Sequence, residues 1–267
     1  MVEIVIQKKI KSFNKVIKVD GDKSLSIRSL LIGSQSYGLC KIKNLSKSED
    51  IISTIKGLKK LGIKIFFKKK ICHLYGNGLS GFNFWKNISI DAGNSGTFAR
   101  LLLGLLIKST NEISIYGDKS LSKRDFKRVM DPLKQFGAKF KPANKNNLPF
   151  KILGSEFSKP INYFEKRGSA QCKSAVILAA LNTPGRTVIE AKKSRNHTEL
   201  FLKYLNLPLK IKNKKKNDVI EILGENQFKS FDYKIPGDIS SASFFIVLTL
   251  LSKKSELLIK DVNINPT

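Results

Sequence analysis

Asp91-Ala-Gly-Asn-Ser-Gly-Thr-Phe-Ala-Arg100 joins an extended stretch to an apolar helix through a turn made almost wholly of small residues. A helix N-terminus presents unpaired backbone N–H groups and the positive end of the helix dipole. Small residues there let a phosphate or carboxylate approach closely. One such turn decides nothing, but the chain repeats it at Asp20-Gly-Asp-Lys-Ser-Leu-Ser-Ile-Arg28, Lys166-Arg-Gly-Ser-Ala-Gln-Cys-Lys-Ser174 and Pro236-Gly-Asp-Ile-Ser-Ser-Ala-Ser243. Together the four turns predict an anion-binding site.

Outward from each of the first three turns the same order recurs: helix, strand, second helix, then two strands, with a period of about 70 residues. The first copy predicts helices at 24–36 and 49–61 and strands at 40–45, 63–67 and 71–75. The second predicts helices at 97–107 and 123–136 and strands at 112–116, 138–141 and 150–153. The third predicts helices at 170–181 and 198–205 and strands at 187–190, 209–212 and 219–223. The second helices end alike, in Leu58-Lys-Lys-Leu-Gly62, Leu133-Lys-Gln-Phe-Gly137 and Leu202-Lys-Tyr-Leu-Asn206. Gly and Asn take the left-handed conformation at low cost, so these positions read as helix C-terminal caps. In the fourth copy the turn, a helix through Ser252 and a strand at 256–259 are followed only by Lys260 to Thr267. The expectation is a polypeptide cut inside a repeat.

With 267 residues, 41% of them hydrophobic, the chain can bury one large core or two ordinary ones. The apolar runs Phe98 to Ile107 and Phe244 to Leu251 fall short of the ~20 residues a membrane span requires. The first twenty residues alternate Ile4, Ile6, Val16, Ile17 and Val19 with Lys and lack a signal-peptide core. They predict strands and a cytoplasmic protein. Cys40, Cys72 and Cys172 are odd in number and irregularly spaced, which reads as buried small hydrophobes rather than disulfides or a zinc site. His73 reads as an exposed strand position, and Asn196 with Glu199 as a capping pair around His197, so no histidine metal centre is expected. The net charge of +28 fits nucleic acid, anionic lipid or phosphorylated substrates. Its lysines are scattered, however, and only Lys212 to Lys216 forms a dense run, read as a hairpin loop. Composition accounts for the charge, and the turns carry any specific site.

Lys23, Ser24 and Arg28 could converge on one anion, or Ser24 could cap its helix with the cations solvated. Taken with Asn94-Ser-Gly-Thr97, Arg100, Ser120-Leu-Ser-Lys-Arg124, Lys166-Arg-Gly-Ser-Ala-Gln171, Ser194-Arg-Asn-His-Thr-Glu199 and Pro236-Gly-Asp-Ile-Ser-Ser-Ala242, the pattern resembles the front part of the 5-enolpyruvylshikimate-3-phosphate synthase family, with the motifs in family order over residues 20 to 267. That resemblance implies an α/β (α+β) fold: inverse α/β, barrel-like domains of βαβαββ repeats in pseudo-threefold arrangement. Residues 21–235 would form a complete domain of three repeats, and 1–20 with 236–267 part of a second. It implies enolpyruvyl transfer from phosphoenolpyruvate to shikimate 3-phosphate with release of phosphate, and no cofactor or metal. It also implies a monomer that binds neither nucleic acid nor membrane.

By the same resemblance Lys23 is the catalytic residue and bridges both substrates. Lys23, Ser24, Arg28, Ser169, Ala170, Gln171 and Arg195 would hold shikimate 3-phosphate. Lys23, Asn94, Gly96, Arg124 and Gln171 would hold phosphoenolpyruvate, Gly96 because a side chain would crowd it. Asn94, Thr97 and Arg100 read equally as loop-shaping residues. Asp22 departs from the family's usual Ser. The family's acid–base carboxylates, a second catalytic Lys and two further arginines have no counterpart in this sequence, so binding without turnover is expected; Asp238 reads as a cap or crossing residue. Two rivals differ in class. A UDP-N-acetylglucosamine enolpyruvyl transferase would place a reactive Cys in Gly117-Asp-Lys-Ser-Leu-Ser-Lys-Arg124, which has none. A basic nucleic-acid binder would interleave aromatics with Lys on its strands, and the predicted strands do so poorly. A non-functional remnant, prone to aggregate through the helix around Phe244, is a further alternative.

Overall fold

The first repeat runs β1 (Asn14–Ile17), α1 (Lys23–Ser34), β2 (Tyr37–Lys43), α2 (Glu49–Lys60), β3 (Lys64–Lys68) and β4 (Ile71–Asn77). The second runs β5 (Ile88–Asp91), α3 (Gly96–Leu105), β6 (Ile113–Tyr116), α4 (Lys127–Gln135), β7 (Lys139–Lys141) and β8 (Phe150–Leu153). The third runs β9 (Asn162–Glu165), α5 (Ala170–Leu181), β10 (Arg186–Lys192), α6 (His197–Tyr204), β11 (Leu209–Asn213) and β12 (Asn217–Leu223). A fourth set follows: β13 (Asp232–Lys234), α7 (Ile239–Leu251) and β14 (Glu256–Ile259). The structure is a computed structural model and describes residues 10–84 and 87–265. The strand expected at Ile4 and Ile6 lies outside them.

Each turn helix starts on a side chain that accepts its free amides: Asp22 from Leu25, Ser95 from Phe98, Ser169 from Cys172, and Asp238 from Ser240 and Ser241. Asp22, not Ser24, is therefore the cap of α1, because its carboxylate reaches Leu25 N at 2.8 Å while Ser24 already lies inside the helix. The left-handed positions appear as expected, with φ of 85° at Gly62, 111° at Gly137 and 53° at Asn206.

Three local expectations need correction. The helix expected from Lys123 starts at Lys127. Leu121–Lys123 is a single 3-10 turn, Arg124 is extended, and Asp125 Oδ1 takes the Lys127 amide at 2.8 Å. Asn196 and Glu199 are not a capping pair: no side-chain bond caps α6, and Glu199 turns inward to Lys173. His73 is half-buried rather than exposed, with its ring stacked on Phe66 at 5.0 Å. With Lys64 over the Tyr75 ring, the outer face of β3 and β4 does interleave aromatics with lysine.

The strands form three four-stranded sheets with one shared order: β13-β2-β4-β3, β5-β6-β8-β7 and β9-β10-β12-β11. In each, the first pair is parallel and the other two pairs are antiparallel. The parallel partner is the strand before the turn helix in the second and third sheets, as in a crossover unit. The first sheet differs. Its parallel strand is β13, which follows the third repeat, while β1 pairs in parallel with β14 over Asn14↔Glu256 to Ile17↔Ile259. The strands preceding α1 and α7 are thus exchanged. The two chain segments cross side by side at Gly21↔Gly237, where Asp22 N donates to Pro236 O (2.8 Å) and Asp238 N to Asp20 O (2.9 Å).

α1, α3 and α5 fill the space between the sheets. Every residue from Leu25 to Ser34 and from Cys172 to Leu181 is buried, so apart from Arg28 and Lys173 these helices are apolar or small all round rather than amphipathic. Their hydroxyls are satisfied internally, Ser29 on Ser26 O and Ser34 on Leu31 O. α3 and α5 approach closely at Gly104, where a Cβ would stand 2.2 Å from Ala175 O. The fold is mixed α/β as expected, but the sheets stay separate around the helices and do not close into a barrel. α7 is as apolar as the central helices yet only Ala242 is buried on it, with Phe244, Leu250 and Leu251 each close to 80% exposed. No helix among the described residues is long and apolar enough to cross a membrane.

Candidate active site

The turns bring their side chains to one end of the central helices. Lys23 is the exposed first residue of α1. Its amide donates to Asp238 Oδ2 (3.1 Å) across the crossing point, and its ammonium lies 3.5 Å from Asp50 Oδ2. Lys23, Ser24, Lys47, Arg195, His197 and Asp238 line one cleft of about 820 Å³. Three carboxylates, Asp20, Asp22 and Asp238, share the lining with Lys23, Lys47 and Arg195, and Asp22 and Asp238 cap helices. Arg195 is exposed to the cleft from the loop before α6.

Arg28, one turn beyond Ser24, is buried and does not join that lining. Its guanidinium donates through Nε to Thr198 Oγ1 (2.8 Å), Nη1 to Ser24 O (3.0 Å) and Nη2 to Ser174 Oγ (3.1 Å). Burial lowers its pKa to about 10, opposed by the nearby Glu199 and Asp22 carboxylates. It remains charged at neutral pH and ties α1 to α5 and α6.

The second turn builds a guanidinium cluster. Arg124 Nη2 donates to Asn94 Oδ1 (3.1 Å), and Asn94 Nδ2 to Asp118 Oδ2 (2.8 Å). Arg100 Nη1 donates to Gln171 Oε1 (2.9 Å), Nη2 to Asp125 O (3.2 Å), and the guanidinium lies over the Phe126 ring at 4.7 Å. Gln171 Nε2 closes the set on Thr97 Oγ1 (2.9 Å). Gly96 faces it: a Cβ there would be 2.7 Å from Arg100 Nη1 and 3.1 Å from Arg124 Nη1. Asn94, Gly96, Arg124 and Gln171 therefore come together, and Thr97 and Arg100 hold Gln171.

The third turn is pinned from below by Glu165, which is buried and accepts from Ser169 N (2.8 Å), Arg167 N (3.3 Å) and Arg128 Nη2 (2.9 Å). Ser169, Ala170 and Gln171 follow as cap and first helical residues of α5. Asp50, Glu165, Ser174 and Thr198 were not singled out from sequence. Asp50 and Glu165 look locally like ordinary helix-start and strand-end acids. Ser174 and Thr198 lay inside quoted motifs with nothing to mark them as guanidinium acceptors.

His197 is buried beside the cleft, its Nε2 3.1 Å from Asn263 Nδ2, which also donates to Asp22 Oδ2 (3.1 Å). Burial, then the charge of Arg28, push its pKa down to about 4, so it is a neutral acceptor here. The cysteines are free and buried, and burial raises the thiol pKa of each, Cys72 to about 12. None is set up as a nucleophile. Among the described residues no cluster of His, Cys, Asp or Glu could hold a metal ion.

The sequence matches the family described as EPSP synthase (3-phosphoshikimate 1-carboxyvinyltransferase) over residues 7–267. It is 41% identical to the 3-phosphoshikimate 1-carboxyvinyltransferase of Alkaliphilus oremlandii over 97% of this chain and 60% of that protein. It is 43% identical to the protein of that name from Caldicellulosiruptor bescii over 96% of this chain and 59% of the other. The solved EPSP synthase of Acinetobacter baumannii superposes with a TM-score of 0.86 at 31% identity, covering 96% of this chain and 57% of that one. The chain thus spans about 60% of the length of the curated relatives it matches. With the motifs, the turn geometry and these likenesses in agreement, the chain belongs to the EPSP synthase family.

Proposed function

We propose that this chain forms the substrate-binding half of an enolpyruvyl transferase that joins phosphoenolpyruvate to shikimate 3-phosphate and releases phosphate. The observation that carries the reading is Gln171, which reaches from the third turn to Thr97 and Arg100 of the second. It thereby places the α5 N-terminus beside the Gly96–Arg124 cluster. Ser169, Ala170, Gln171 and Arg195, with Ser24, hold shikimate 3-phosphate, while the buried Arg28 braces Ser24 and α5 behind them. Asn94, Gly96, Arg124 and Gln171 hold phosphoenolpyruvate, and Lys23 stands at both.

Four anionic groups must share this space, a carboxylate and a phosphate from each substrate. Fixed guanidinium groups and helix N-termini are suited to that. The reaction adds a ring hydroxyl to C2 of phosphoenolpyruvate, protonates C3 and expels phosphate from the tetrahedral intermediate, which needs a general base, a general acid and positive charge at the leaving group. Lys23 supplies charge. The carboxylates at the cleft are engaged elsewhere: Asp22 and Asp238 cap helices, Asp20 lies 3.9 Å from Lys47, and Asp50, beside the lining, faces Lys23. The chain is therefore proposed to bind without turning over. We further propose that residues 21–235 fold as one unit, that 236–267 belong with 1–20, and that the protein is cytoplasmic.

Calorimetric titration with shikimate 3-phosphate, followed by phosphoenolpyruvate, tests the binding claim, and a phosphate-release assay with both substrates tests the rest. Saturable binding without release is expected. Absence of binding overturns the assignment, and sustained phosphate release overturns the proposal that the chain binds without turning over.

A further inference from the structure

Lys173 lies near the start of α5 with its side chain fully buried, and its ammonium is 2.7 Å from Glu199 Oε1, itself 3% exposed. The same ammonium donates to Ser194 O at 3.4 Å, the carbonyl immediately before Arg195. Glu199 Oε2 has no hydrogen-bond partner among the described residues. Two charges taken out of water with one oxygen left unsatisfied contribute little net stability, and an apolar pair of similar size would serve the core as well or better. What an apolar pair could not supply is a directed bond to the Ser194 carbonyl.

The neighbours explain why direction matters there. Ser174 and Thr198, each next in sequence to one partner, meet at 2.7 Å and both hold Arg28. The α5–α6 junction is thus anchored on one side by Arg28 and on the other by the Lys173–Glu199 pair, and the loop carrying Arg195 leaves from it. We propose that Lys173 and Glu199 are a positioning pair that holds the Ser194–Arg195 loop on α5, so that Arg195 faces the cleft in the geometry that meets an anionic substrate. The inference rests on the binding function proposed above.

The test is a double-mutant cycle on the full chain, titrating shikimate 3-phosphate into wild type, Lys173→Met, Arg195→Ala and the double variant. Each single substitution is expected to weaken binding about tenfold. Because Lys173 acts through Arg195, adding Lys173→Met to Arg195→Ala is expected to cost less than about twofold more. Equal losses in both backgrounds would show a merely structural role and overturn the proposal. Should Lys173→Met not fold, Lys173→Met with Glu199→Leu replaces it, since that pair leaves no unmatched buried charge. A second readout, hydrogen exchange at amides 193–198, is independent of the ligand. Selective acceleration there is expected, with the rest of α5 protected as in wild type. If those amides exchange as in wild type, the pair does not hold the loop, and the proposal fails whether or not shikimate 3-phosphate binds. A wild-type chain that fails to bind would overturn the functional reading instead, leaving the exchange result to decide the pair.

Discussion

Gly96 shows how one missing atom can set what a site accepts. Its Cβ position is already within 3.1 Å of two guanidinium groups, so Gly96→Ala must push Arg100 or Arg124 aside, and their flexible ends can yield. Phosphoenolpyruvate affinity is expected to drop about tenfold with shikimate 3-phosphate affinity nearly unchanged, and stability to change by less than about 1 kcal/mol. Titrating each substrate separately checks the split. His197 carries a second prediction. Its pKa is near 6.5 when unfolded and about 4 in the fold, so between those values the unfolded chain binds a proton that the folded chain does not. Stability should therefore fall as pH drops from about 6.5 to about 4, by on the order of 2 kcal/mol more than in His197→Gln. Parallel denaturant titrations across that range measure the difference. Neither property could be read from sequence. Gly96 was legible as a glycine near a phosphate turn, but its two guanidinium neighbours were not. His197 sat in a motif whose reading as a capping pair failed because Glu199 was claimed by a lysine on another helix.

At the scale of elements, the turn helices were legible because the signal is local. A capping Ser or Asp, a small-residue turn and a run of apolar residues are contiguous in sequence, and the structure gives every such helix its cap. What holds a turn in place is not contiguous. Glu165 pins the third turn by accepting from Ser169 N and from Arg128 on α4, a residue far along the chain. Glu165→Ala should release both, leaving a buried amide and a guanidinium without their acceptor, at a cost of about 1–3 kcal/mol. Shikimate 3-phosphate affinity should fall with it, because the first residues of α5 lose their footing. Thermal melts and titration of Glu165→Ala and Glu165→Gln check this, with Gln expected to recover part of the loss. The late start of α4 has the same origin. The Leu-Ser-Lys-Arg stretch has helical composition, but Arg124 is drawn out to Asn94, and the helix starts only beyond the turn in which Asp125 accepts the Lys127 amide.

At the scale of the molecule, three sheets of one strand order enclose buried helices, while a fourth helix of the same character stays exposed. Contiguous apolar surface on α7 drives association in water. Light scattering should show concentration-dependent self-association that Phe244→Ser, Leu250→Ser and Leu251→Ser together suppress, without lowering the melting temperature of the remainder. The period and the element types came from sequence because hydrophobic spacing reports them. The exchange of β1 and β13 did not, since a short strand's pattern shows which of its faces is buried and not which strand it will lie beside.

That exchange also constrains the order of events during synthesis. The second and third sheets can each close from a contiguous stretch of chain, but the first must wait for residues 232–234 to emerge before its parallel edge is covered. Until then β2 offers an open edge, available to any passing strand. The first repeat to be translated is thus the last to be finished, and such long-range pairing is slow. A ribosome that pauses near residue 230 would expose β2 for longest.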